Sequence, residues 1–144
     1  SRKAAKVCRE YLMPIEVPYE IYRKHSLTQE ELFEIFRSSL IHFGISKTDG
    51  LPASMLESMS QGAFPIQSQT ACIDGWFEHG ISGLATEPTT SGISQAMESV
   101  TSGQIDFEKA RTMNFHKILS SYNLENLAHD ATTGIYLAMS SKQS

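Results

Sequence analysis

Two carboxylates, Asp49 and Glu57, stand on either side of a stretch that reads as the start of a helix. Pro52 lies between them and suits a helix opening, where its missing amide costs nothing. Ala53 and Ser54 then offer the first free N–H groups, at the positive end of the helix macrodipole, an arrangement suited to a phosphate. Asp49 falls just before this helix and Glu57 about a turn and a half inside it. The pair can accept hydrogen bonds from sugar hydroxyls at the two ends of a diphosphate. Each residue also has an ordinary reading. Asp-Gly is a common turn dipeptide, and a glutamate on the flank of an apolar stripe is an ordinary solvated helix former. Spacing alone leaves both readings open.

A frame of alternating strands and helices has to hold these residues. Residues 40–45 (Leu-Ile-His-Phe-Gly-Ile) are short, apolar and bounded by turn residues, as a buried parallel strand should be. A polar loop, 46–50, leads to the helix opened by Pro52, packed through Met55, Leu56 and Met59 and stopped at Gly62. Further strands are expected at 63–67 and 82–86, with a short helix at 72–78 between them. Upstream, 4–12 can form a helix and 15–21 alternates like a strand, with Pro18 pushing it to a sheet edge. Thr28 and Glu31 form a capping box that opens another helix, with Leu32, Phe33, Ile35 and Phe36 as its apolar face. Downstream, 91–100, 106–120 and 124–138 read as helices broken at Gly103 and Asn123. The pattern predicts an α/β, Rossmann-like domain: about four strands in a mostly parallel sheet, flanked by helices and followed by a helical tail. In such sheets ligands lie beyond the carboxyl ends of the strands, which is where the 45–52 loop falls.

The chain has 144 residues, 40% apolar and 19% charged, which is one ordinary globular domain. A net charge of −4 gives no footprint for nucleic acid. Cys8 and Cys72 make no disulfide framework and are compatible with a reducing compartment. No stretch approaches a membrane span. The opening Ser-Arg-Lys-Ala-Ala-Lys lacks the apolar run of a secretion signal and reads as entry into a helix, so the natural chain is expected to begin further upstream. The five histidines show no zinc spacing, and there is no dinucleotide or Walker loop and no nucleophile elbow around Ser46, Ser54 or Ser58. His42 reads as a satisfied core or cleft-edge histidine, and Trp76 as packing under the short helix.

The run from Ile45 through Asp49, Glu57, Ser58-Met59 and Gly62 to Pro65-Ile66 resembles the signature of glycosyltransferase family 4, retaining enzymes of the GT-B fold. That signature is an acidic residue, seven others, a glutamate, an Ala/Ser-Met pair, a glycine and a Pro-hydrophobic strand. Residues 70–77, His79-Gly80, Ser82-Gly83-Leu84, Asn114 and 122–124 look like the family's following elements, so that the resemblance covers roughly residues 28–136. It implies a single, partial C-terminal donor-binding domain, truncated at its N-terminal end, of a hexosyltransferase in polysaccharide or glycoconjugate synthesis.

By that resemblance Glu57 takes the ribose hydroxyls and Asp49 the transferred sugar, the two counting as the catalytic pair carried by this chain. Amides near Gly50, Leu51, Ala53 and Ser54 are implied to hold the diphosphate. A nucleotide-diphosphate sugar is the substrate, and no metal or other cofactor is expected. Two positions depart from the pattern: Asp49 stands where glutamate is commoner, and Gly75 where many relatives carry a glutamate, so no role is transferred there. The family's Arg and Lys, which stabilise the departing diphosphate, and its acceptor-binding domain would lie upstream of Ser1. Because leaving-group stabilisation is the dominant catalytic effect here, the isolated chain is expected to bind donor weakly and to be nearly inactive. The implied location is cytoplasmic, at the inner membrane face if the parent makes peripheral contact. An uncovered sheet edge predicts homodimerisation or strand exchange of the isolated chain. Two alternatives stay open: a catalytically degenerate accessory module of the same fold, and a related sugar-nucleotide epimerase.

Overall fold

A computed structural model describes residues 27–48, 50–122, 125 and 128–133. The elements are α1 (Gln29–Ser38), β1 (Ile41–Gly44), α2 (Ala53–Ser60), β2 (Phe64–Ser68), β3 (Leu84–Thr86), α3 (Thr90–Thr101) and α4 (Phe107–Ser121). Residues 125 and 128–133 are helical and exposed. The three strands form one open parallel sheet in the order β1-β2-β3, with Ile41 opposite Phe64 and Ile66 opposite Leu84. This is the expected α/β, Rossmann-like arrangement, and all of the described pairing is parallel. The helix expected at 4–12 and the strand expected at 15–21 lie outside the described residues.

Strand periodicity sorts the sheet's side chains onto two faces. On one face Phe64, Ile66 and Leu84, with Ile41 and Phe43 beside them, pack against Ala96, Met97 and Val100 of α3 and Ala110 of α4. Phe64 meets Phe107 edge-on, ring centroids 5.4 Å apart. On the other face Met55, Leu56 and Met59 of α2 pack with Ala71, Ile73 and Ala85 and with Ile118 of α4. Helices therefore cover both faces, and β2 is buried along its whole length while β1 is only half-buried.

The helix starts follow local chemistry. Thr28 and Glu31 make the expected capping box, the Thr28 amide donating to the Glu31 carboxylate at 2.8 Å and the Glu31 amide to the Thr28 hydroxyl at 3.3 Å. Asp106 caps α4 by accepting from the Lys109 amide, and Thr89 caps α3 by accepting from the Gly92 amide. Pro52 stands one place earlier than expected: it is the extended residue before α2, and Ala53 is the first helical one. Gly62, with φ +93°, ends α2 in the left-handed turn that glycine tolerates best.

One expected element is absent. Residues 72–78 form turns, not a helix. Gly75 takes φ +75°, the Ile73 amide donates to the Ala71 carbonyl two residues back, and the Trp76 amide to the Ile73 carbonyl three back. Ala71 and Ile73 are meanwhile drawn into the core beneath α2, so the segment follows the core surface instead of winding on itself. β2 and β3 are thus parallel neighbours joined without a helix.

Candidate functional site

β1, β2 and β3 all end at one margin of the sheet, and the 45–52 loop leaves β1 there to enter α2. The loop is tied to the stretch that follows β2. The Ser46 amide donates to Ser68 Oγ at 3.0 Å, Thr70 Oγ1 donates to the Ser46 carbonyl at 3.0 Å, and the Cys72 amide donates to the Gly50 carbonyl at 3.2 Å. These bonds span more than twenty residues each, and local sequence gives no sign of them. Ser46, Ser68 and Thr70 are accordingly the site residues that sequence reasoning missed.

At the start of α2 the backbone donors are unmet. Among the described residues, the amides of Gly50, Leu51, Ala53 and Ser54 find no acceptor, while those of Met55 and Leu56 already turn back to the Pro52 carbonyl at 3.1 and 3.4 Å. The N-cap Pro52 has no side chain to offer and the first turn holds no acidic residue. α1, α3 and α4 are each capped by a side chain; among the described residues α2 has no such cap and no acidic residue in its first turn. Gly50, Ala53 and Ser54 are exposed, whereas Leu51 buries its side chain against the α2 core. A Cβ on Gly50 would meet nothing within 4 Å beyond its chain neighbours, so there is open space beside Gly50.

Glu57 is half-buried and lies four residues beyond Ala53 and three beyond Ser54, on the flank of α2 opposite Met55 and Met59. Helical Cα–Cβ bonds tilt towards the amino end, and the spacing sets Glu57 on the same face as Ala53, one turn along. It makes no hydrogen bond through its side chain among the described residues. Asp49 lies outside the described residues. Of the residues singled out from sequence, Gly50 and Leu51 lie in the loop before α2, Ala53 and Ser54 open the helix and Glu57 lies one turn along it.

Other residues settle into structural roles. The Trp76 ring packs against Tyr122, centroids 5.5 Å apart, with the Lys117 ammonium 5.6 Å from its centre; it rests on α4 and not under a helix at 72–78. Asn114 is buried and donates to the Ser82 carbonyl at 2.8 Å, fastening α4 to the turn before β3. His79 Nδ1 accepts from the Ala85 amide at 3.0 Å and so occupies the outer edge of β3. His42 packs edge-on against Phe36 at 5.6 Å, and desolvation pushes its pKa down to about 4. It is half-buried rather than fully in the core, and it is not the satisfied histidine expected: its Nε2 is buried without a partner. Gln67 shares that condition through Oε1. A buried polar atom left unmet costs about 1–3 kcal/mol.

Among the described residues no group of three His, Cys, Asp or Glu side chains is placed to hold a metal ion, and no described helix is long and apolar enough to cross a membrane. Comparison of the chain with family models, with curated proteins and with solved structures gives no match to any of them.

Proposed function

We propose that this chain is the donor-binding part of a retaining glycosyltransferase, with the diphosphate of a nucleotide sugar seated on the amino end of α2. The observation that carries the reading is that, among the described residues, the amides of Gly50, Leu51, Ala53 and Ser54 find no acceptor and α2 alone of the four helices has no side-chain cap. An anion there gains charge-assisted hydrogen bonds and a favourable dipole with no neighbouring carboxylate in the first turn to repel it. Glu57 takes the ribose hydroxyls from the flank of the same helix, and Asp49 takes hydroxyls of the transferred sugar. The chain grips the donor without a metal; the cations for the leaving group and the acceptor site belong to the rest of the enzyme. Donor nucleotides of this class meet the chain in the cytoplasm.

A backbone donor can be deleted here without harming the helix. Pro52 already has the extended conformation (φ −73°, ψ 111°) that tolerates a following proline, and the first helical position needs no amide. Ala53→Pro is therefore expected to keep the thermal midpoint. In an NMR titration it should weaken binding of UDP, GDP or ADP about tenfold, equivalent to about 1.4 kcal/mol. Equal affinities for the two proteins would remove the diphosphate from this helix.

Glu57→Gln separates the ribose from the phosphates. The substitution keeps the size of the side chain and removes the charge that strengthens bonds from hydroxyls. Nucleotide diphosphate binding should weaken about tenfold, with inorganic pyrophosphate binding unchanged. A parallel loss for pyrophosphate would instead assign Glu57 a general electrostatic role.

A further inference from the structure

We infer that Gln67 is a positioning residue for the anion-binding loop, resting on the donor-site reading above. Gln67 sits in β2 opposite Gly44, the last residue of β1, and is only 1% exposed. Its carboxamide lies across Gly44 so closely that a Cβ there would stand 2.0 Å from Oε1, and that oxygen has no hydrogen-bond partner. Packing does not explain a polar group here, because a methionine would fill similar space with nothing left unmet. The amide rests on the point where β1 stops and the 45–52 loop departs.

The next residues continue the same support. Ser68 receives the Ser46 amide, Thr70 binds the Ser46 carbonyl and Cys72 binds the Gly50 carbonyl. Residues 67–72 thus meet the strand end and the loop at three points, Gly44, Ser46 and Gly50, and Gln67 makes the first of them. Gly44 and Gln67 fit as a pair: the bare α-carbon admits the amide, and the amide fixes how the strand end approaches β2. The direction in which Gly50, Leu51, Ala53 and Ser54 present their amides follows from that departure.

His42 supplies the control. It shares Gln67's face of the sheet and its unmet buried atom, yet it lies opposite Pro65, two residues before the strand end, and touches Phe36 of α1 instead of the loop. Relieving either buried atom should raise stability, but only the change at Gln67 should disturb the loop.

The test compares the chain with Gln67→Met, Gln67→Leu and His42→Leu, by thermal unfolding and by NMR titration with UDP, GDP and ADP. The expected result is a thermal midpoint raised by about 3 °C in all three variants, with nucleotide affinity about tenfold weaker in the two Gln67 variants and unchanged in His42→Leu. Unchanged affinity in a folded Gln67 variant, or equal weakening in His42→Leu, overturns the positioning role and leaves the donor-site reading intact. If the unaltered chain binds none of the three nucleotides, that reading fails and the role of Gln67 falls with it.

Discussion

Taking the chain from pH 7 to pH 4 is expected to lower its unfolding free energy by about 3 kcal/mol through His42 alone. Burial without a partner pushes the folded-state pKa of His42 down to about 4 from its ordinary 6.5. Above pH 6.5 both folded and unfolded chains hold the ring neutral, and nothing is lost. Between 6.5 and 4 the unfolded chain takes up the proton that the folded chain refuses, so stability falls with pH. Below 4 both are protonated and the loss is complete. Against a typical domain stability of about 5–15 kcal/mol the effect is large. Urea unfolding at several pH values should show the slope, and His42→Leu should flatten it over that window. A slope that survives in His42→Leu would assign the acid sensitivity to another group. Glu31 will not mimic it: its pKa is already below the usual carboxylate value because the Thr28 amide and hydroxyl hold the charged form, so its contribution is lost only at lower pH.

Met59→Ala is expected to cost about 2–5 kcal/mol, the range for opening a cavity at a fully buried methionine. Met59 is 0% exposed and packs with Met55, Leu56, Ala71 and Ile73. The informative comparison is Met97→Ala. Met97 is equally buried, but it belongs to α3 on the opposite face of the sheet. The two substitutions should be similar in denaturant unfolding and different in nucleotide titration. α2 has only eight residues, and loosening its grip on the sheet moves the amides at its start. Met59→Ala should therefore weaken nucleotide binding under conditions where the protein stays folded, and Met97→Ala should not. Equal affinities in both variants would detach the α2 core from the site.

The features that sequence foretold are those governed by neighbours in the chain. The Thr28–Glu31 box, the Asp106 start of α4 and the Gly62 stop each depend on contacts within a few residues, and each is present. The free donors at Ala53 and Ser54 were readable too, because the position of Pro52 dictates where a helix can first donate; Gly50 and Leu51 were implied only by the family resemblance. What escaped was set at long range. Residues 72–78 have the composition of a short helix, yet the Cys72 bond to Gly50 and the burial of Ala71 and Ile73 pull them into turns. The ties of Ser46 to Ser68 and Thr70 join segments brought together only by parallel pairing. His42 was expected to be a satisfied core or cleft-edge histidine, and no pattern in β1 could reveal that its Nε2 would find nothing to bond.

The His79 contact to Ala85 has a consequence for how copies of this chain could meet. With the outward amide of Ala85 taken by an imidazole nitrogen, β3 offers little to an incoming strand. Among the described residues no strand covers the far side of β1, and Leu40 beside it is 52% exposed. Among the described residues the sheet has a shut side at β3 and an unpaired one at β1. Pairing of two copies through the β1 side would use up that side in both, and with β3 shut such a pair would be closed rather than the start of a fibre.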